Sequence, residues 1–334
     1  MFEGIHKLPA GHMGMLENGR LRIERYWDLE FNVDDPIPGE REIVEKQRAL
    51  IDAAVHRRLI SDVPLGAFLS GGLDSSAIVA MMRRHNSGRL RTFTIGYEDR
   101  TFSELDYAQI VADHFGTDHQ VLMIRQMDEA AIEKSLWHLD EPMTDLSSIP
   151  LMFISEQAKQ HVTVCLSGEG GDEVFAGYDR FKAARLARML KIIPRPLLSG
   201  VLCKLTAMLP DQKQKKGAIN MLKRFMEGAA LPEEGLHLRW QFFSNPRLEA
   251  GLYNDGFRSE VAMDPFSVLR AYNARTEGLD TINRQVYADM RYMMADSVLM
   301  KVDKMSMANA LEIRVPLLDH TLVEYMATIH GSMK

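Results

Sequence analysis

The chain has 334 residues, 46% of them hydrophobic and 26% charged, with a net charge of −6. That is enough apolar material to bury a sizeable core in one large or two modest domains. The acidic balance argues against broad contacts with a phosphate backbone and hence against nucleic-acid partners. Two cysteines without C-x-x-C spacing disfavour disulfide and sulfur-transfer chemistry and fit a reducing cytoplasm.

Asn18-Gly19 marks the turn of a hairpin near the start of the chain. Ile43, Leu50, Ala53 and Ala54 predict a helix over 40–60. The apolar run Val63–Leu69 predicts a buried strand, and Ala77–Met82 the body of the helix that follows it. A second strand is expected over 90–98 and a third over 118–124. Between them, Leu105, Ala108, Val111, Ala112 and Phe115 recur at helical spacing within 102–115. Helices are predicted over 127–140 and 148–160, before a strand at 162–166. Strands alternating with helices call for an α/β fold with a doubly wound parallel sheet. Beyond Asp179 the strand signals fade, and 181–329 reads as mostly helical, with Lys213–Lys216 as a solvated loop. The most apolar stretch, Ile192–Leu209, is interrupted by Arg195, Lys204 and two prolines, which excludes a membrane span there.

The first predicted strand runs straight into Ser70-Gly71-Gly72-Leu73-Asp74-Ser75-Ser76. Two glycines allow a sharp turn and close approach to an anion, and the first amides of the following helix point at it. Ser70, Ser75 and Ser76 add hydroxyls. Asp74 makes sense beside phosphates only with a cation between them, so a Mg²⁺-nucleotide is implied. Neither G-x-x-x-x-G-K-[ST] nor, at this position, G-x-G-x-x-G is present, which removes P-loop and dinucleotide sites. A second strand-end turn, Ser167-Gly168-Glu169-Gly170-Gly171-Asp172-Glu173, repeats the pattern with acids added. In an open parallel sheet two such turns can face one ligand, with Asp74 and Asp172 sharing the metal. Taken singly, each has another reading: an ordinary Gly-rich turn, and a solvated helix N-terminus.

A third segment, Asp296–Ala308 continuing to Glu312-x-Arg314-x-Pro316-x-x-Asp319, makes the pattern specific. The first turn resembles the pyrophosphate loop of ATP pyrophosphatases. With Lys304-Met305-Ser306-Met307 and the Glu312–Asp319 string, the chain resembles the synthetase half of glutamine-dependent asparagine synthetases and the related β-lactam synthetases, over most of residues 36–330. The resemblance implies an adenine nucleotide alpha hydrolase-like α/β core at 32–180 and a helical part at 181–334 that continues in the family. It further implies ATP and Mg²⁺ as cofactors, with aspartate converted through β-aspartyl-AMP to asparagine. Glu169 would act as general base and Lys304 as the lysine stabilising departing pyrophosphate. Phe68, Leu69, Ser70, Gly71, Gly72, Asp74, Ser75, Ser76, Ile95, Ser167 and Gly168 would bind ATP, and Asp74 and Asp172 the metal. Core packing is the other reading of Phe68 and Ile95. Asp145–Ser148 and Arg314 are weaker candidates for aspartate contacts.

Residues 1–31, including Gly4-Ile5, Lys7-Leu8-Pro9 and Gly11-His12, resemble the last strands of the family's glutaminase domain; the family nucleophile's place after the initiator methionine holds Phe2. On that likeness nitrogen would come from ammonia, or from glutamine through a glutaminase part supplied elsewhere, and the chain is a fragment or is completed by a partner. A homodimer is left open, and the expected location is the cytoplasm. Two other functions stay in view: the same adenylating chemistry on another carboxylate, and an ATP-binding module without turnover.

Overall fold

Asn18 and Gly19 both adopt positive φ, 49° and 76°, the backbone of a two-residue turn whose twist matches paired strands. They join β1 (His12–Glu17) to β2 (Arg20–Arg25) in the antiparallel hairpin expected from the sequence. The computed structural model describes residues 3–33, 36–97, 104–124, 128–143, 145–189, 197, 201–210, 212, 217–231, 235, 239, 251–260 and 266–334. The predicted loop Lys213–Lys216 and the helix start at Phe102 lie outside the described residues.

The alternation read from the sequence appears as α1 (Glu40–Arg58), β3 (Leu65–Phe68), α2 (Leu73–His85), β4 (Arg91–Tyr97), α3 (Leu105–Phe115) and β5 (Asp118–Ile124), followed by α4 (Glu129–Leu139), α5 (Ser148–Lys159), β6 (Val164–Leu166) and α6 (Gly171–Val174). A further strand, β7 (Glu312–Arg314), completes a five-stranded sheet of order β5-β4-β3-β6-β7, parallel throughout. Both faces are covered, as the short, nearly all-buried central strands require. Phe93 on β4 packs with Ile154 and Ala158 of α5, whereas Gly96, of opposite parity on the same strand, lies against Leu105 of α3. Chain direction reverses its sideways progress after β5, and β6 returns to pair with β3 on its other side. The switch point therefore lies between β3 and β6, where the loops leaving two neighbouring strands diverge and leave a crevice.

Two compact units result, one of residues up to Phe175 together with Asp289–Lys334, the other Ala176–Ala288. The second unit is helical: α7 (Asp179–Met189), α8 (Cys203–Ala207), α9 (Ala218–Ala230), α10 (Asp255–Glu260), α11 (Ser267–Arg275) and α12 (Thr281–Ala288). Within it α9 packs on α7 and α8, and α12 on α7 and α11, with Met226, Leu269, Val286 and Tyr287 buried. Residues 181–334 are thus not one helical body, contrary to the sequence reading. After α12 come a π-helical segment (Asp289–Leu299), α13 (Met300–Met307), β7 and α14 (His320–Thr328), all belonging to the unit that holds the sheet. A three-residue strand with one apolar side chain carries almost no period-two signal, so β7 was invisible to pattern. No helix among the described residues is long and apolar enough to cross a membrane.

The string Glu312–Asp319 sews this return to α1. Arg314 donates from Nη1 to the carbonyls of Arg58 (2.8 Å) and Ile60 (2.7 Å), and Nε meets Glu312 at 2.6 Å. Asp319, buried, caps α14 by accepting from the Thr321 amide and pairs with Arg57 (2.8 Å) and Arg58 (2.7 Å). Burial alone would raise its carboxyl, but hydrogen bonds from Arg57, Thr321 and Arg58 and the Arg58 charge outweigh it and hold it well below the usual carboxylate range. A native carboxyl titrating below its unfolded value of about 3.9 stabilises fully above that pH and loses the contribution as pH falls further. Asp319→Asn keeps the cap but removes the charge, and denaturant unfolding at neutral pH is expected to show a loss of about 2–3 kcal/mol that shrinks as acid is added below about pH 4.

Candidate active site

β3 and β6 are neighbours, so the turns leaving their carboxyl ends meet. At the first, Gly71 takes φ +79°, and a Cβ there would strike the Tyr107 carbonyl carbon and the Ala108 amide at 2.4 Å, so α3 closes directly onto the turn. Gly72 is the N-cap of α2, and no side chain caps that helix, leaving its first amides directed at the crevice. The three hydroxyls brace the turn internally. Ser70 Oγ accepts from the Gly72 amide (3.2 Å) and meets Ser75 Oγ (3.0 Å), while Ser75 and Ser76 donate to the Gly72 carbonyl at 3.2 and 2.7 Å.

The second turn lies against the first with no room for side chains. A Cβ on Gly168 would sit 2.8 Å from the Ser75 nitrogen and 3.0 Å from the Asp74 carbonyl carbon; one on Gly171 would sit 2.4 Å from the Asp74 carboxylate. Gly170, at φ +91°, is backed by Leu318. Ser167 is anchored by its amide to the Arg314 carbonyl at 2.9 Å, and its hydroxyl accepts from the Glu169 amide at 3.3 Å.

Asp74 is pushed up to about 6, first by burial and then by the charges of Asp172 and Glu169. Three acids therefore sense one another at an uncapped helix N-terminus. Among the described residues no group of three His, Cys, Asp or Glu side chains is arranged to hold a metal ion by itself. Asp74 and Asp172 instead suit a hard cation whose remaining ligands arrive on phosphate oxygens, which is how Mg²⁺ is commonly held.

The other sequence candidates divide. Leu69 is 1% exposed: its side chain belongs to the core, and only its backbone borders the turn, donating to the Phe93 carbonyl at 2.9 Å. Phe68 and Ile95 are partly buried and pack against the cluster of Phe93, Ile154 and Cys165, so the core reading applies to both. The Arg314 guanidinium is committed to the carbonyls of Arg58 and Ile60. Lys304, expected among apolar neighbours, has a side chain 36% exposed and meets Asp140 at 2.5 Å; no described contact joins it to the glycine turns.

The enclosed lysine is Lys301, which sequence reading missed. Its side chain is 9% exposed, with Nζ 3.0 Å from Asp145 Oδ2 and 2.9 Å from Ser147 Oγ. Local pattern does not separate the two lysines, each of which has a methionine within one helical turn; burial does, because Met305, four residues after Lys301, is fully buried whereas Met307, three after Lys304, is 56% exposed.

Residues 46–334 match the family model described as asparagine synthase. The chain belongs to the asparagine synthase family. It is 32% identical, over 98% of its length and 50% of the relative's, to the glutamine-hydrolyzing asparagine synthetase 1 of Bacillus subtilis (strain 168). It is 34% identical, over 96% of its length and 48% of the relative's, to a putative glutamine-hydrolyzing asparagine synthetase of Mycobacterium bovis. It is also similar to the amidase chyE of Penicillium rubens, 27% identical over all of this chain and 53% of that one. The chain spans about half the length of these curated relatives.

Two substitutions test the site. Gly168→Ala pushes a methyl into the α2 backbone, which cannot rotate aside, so thermal unfolding should show a loss of about 1–3 kcal/mol. A carboxyl titrating above its unfolded value withdraws stability as pH rises through the native value. Asp74→Asn should accordingly stabilise the free protein by on the order of 1 kcal/mol at pH 8, a half-exposed site being partly screened by water, with no gain below about pH 4.

Proposed function

We propose that the chain is the ATP-dependent ligase part of an asparagine synthetase, activating the side-chain carboxylate of aspartate and passing it to ammonia. The observation that carries this reading is the convergence of the two glycine turns, which puts Asp74 in the field of Asp172 and Glu169 at an uncapped helix N-terminus. That combination suits a triphosphate and its cation: amides for phosphate oxygens, carboxylates for the ion. Asp74 and Asp172 would hold Mg²⁺, which neutralises charge on the pyrophosphate as it departs.

In this scheme a carboxylate oxygen forms a bond to the α-phosphorus while the bond to the pyrophosphate bridging oxygen breaks. The nitrogen of ammonia then attacks the acyl carbon, AMP leaves, and Glu169 accepts the proton lost by nitrogen. The amides of the first turn of α2 bind and orient the phosphates. Ser70, Ser75 and Ser76 stiffen the loop, which preorganises those amides. Lys304 is assigned to the departing pyrophosphate on its match to the family motif, and its exposed pair with Asp140 would open to release it.

The name of the Penicillium relative supports a second reading, the same adenylating chemistry on another carboxylate. ATP–pyrophosphate exchange with a panel of carboxylates and ammonium separates the readings. Exchange with aspartate is expected; exchange with another acid alone moves the assignment to that acceptor; ATP binding without exchange under any acceptor reduces the protein to a binding module. Lys304→Ala should slow exchange about tenfold or more with unfolding almost unchanged, because exposed ion pairs contribute little to stability; an unaltered rate would remove Lys304 from the site.

A further inference from the structure

The Lys301 side chain is only 9% exposed, and it ends in an ion pair with Asp145. Burying a lysine charge is costly unless it is paired and hydrogen-bonded, and here both conditions are met by one short segment. Nζ donates to Asp145 Oδ2 at 3.0 Å and to Ser147 Oγ at 2.9 Å, and Ser147 Oγ donates in turn to Asp145 Oδ1 at 2.6 Å. Burial pushes Asp145 up, but the Lys301 charge and hydrogen bonds from Ser147 and Lys301 more than offset it, so the carboxylate stays ionised.

The topology says where this cluster lies. In a parallel sheet each crossover helix runs opposite to the strand it precedes. α5 leads into β6 and α13 into β7, so the start of α5, at Ser147, and the start of α13, at Lys301, both sit at the carboxyl edge of the sheet. That is the edge carrying the two glycine turns. α13 packs on α5 and on the preceding π-helical segment, which itself packs on α6, the helix opened by the second turn. A continuous packed path therefore runs from Lys301 to the turn that holds Glu169 and Asp172.

The nucleotide side of the crevice is assigned to residues 70–76 and 167–172, whereas the described partners of Lys301 are Asp145 and Ser147. Resting on the ligase reading above, we propose that Lys301 is a positioning residue for the carboxylate acceptor, acting through Asp145 and Ser147 to fix the 145–148 segment at the start of α5. A salt bridge serving only stability would affect nucleotide and acceptor alike; a positioning role affects the acceptor alone.

The test is ATP–pyrophosphate exchange by the full chain with aspartate and ATP varied separately, for wild type, Lys301→Met, Lys301→Arg and the double variant Lys301→Met/Asp145→Asn. Lys301→Met should raise the KM for the acceptor about tenfold or more while the KM for ATP stays within about twofold, and Lys301→Arg should recover most of the loss. Because Lys301→Met leaves the partly buried Asp145 without its counter-ion and can fail to fold, the double variant removes both charges together. A double variant that unfolds at the wild-type temperature yet keeps the acceptor defect supports the proposal. One restored to the wild-type acceptor KM overturns it, as do equal shifts in both KM values or none. If wild type exchanges with no carboxylate, the ligase reading falls and this inference with it; if wild type exchanges and Lys301→Met is unchanged, only the inference falls.

Discussion

Two backbone turns pressed together without intervening side chains are the constraint on which the rest of the sheet-bearing unit depends. Gly168 meets the amide of Ser75, and Gly171 meets the carboxylate of Asp74, at distances where a single methyl group would not fit. Close-packed interiors transmit such a contact rather than absorb it. It brings acids from two strand-end turns into one small volume, where burial and then the charges of Asp172 and Glu169 raise the proton affinity of Asp74.

The sheet order makes that contact possible. Had β6 continued outward beyond β5, the two turns would be separated by three strand spacings, or roughly 14 Å. Returning beside β3 makes them neighbours. β7 then pairs with β6, and the Arg314 carbonyl receives the Ser167 amide, so the last strand holds the second turn in place. Asp319 and Arg314 tie that strand to the end of α1. The Glu312–Asp319 string, which carried much of the family resemblance, thus acts from behind the crevice, holding the frame on which the chemistry is mounted.

The two lysines of α13 illustrate how differently one helix can use the same residue type. Lys304 faces outward and meets the exposed Asp140, whereas Lys301, nearly a full turn earlier, is enclosed and ordered by two partners on one segment. Exposed pairs are screened by water and reorganise freely; enclosed pairs fix geometry because breaking them strands a charge. Mobility and order at this edge are therefore divided between residues three positions apart.

The sequence alone determined the alternation of strands and helices, the hairpin at Asn18-Gly19 and the presence of two phosphate-type turns, because each is written in local periodicity or in residues with special backbone freedom. Glycine, asparagine and short apolar runs act within a few residues and need no distant partner. Tertiary structure alone decided that residues 289–334 rejoin the sheet, that Lys301 rather than Lys304 is enclosed, that the side chain of Leu69 is lost to the core, and that the serine hydroxyls brace their own loop. The return of 289–334 and the enclosure of Lys301 depend on which segments meet across more than a hundred residues of chain, whereas the fate of Leu69 and of the serine hydroxyls depends on how closely the turn packs with its nearer neighbours. A three-residue strand and the identity of the inward face of one helix are settled by that meeting, not by local preference.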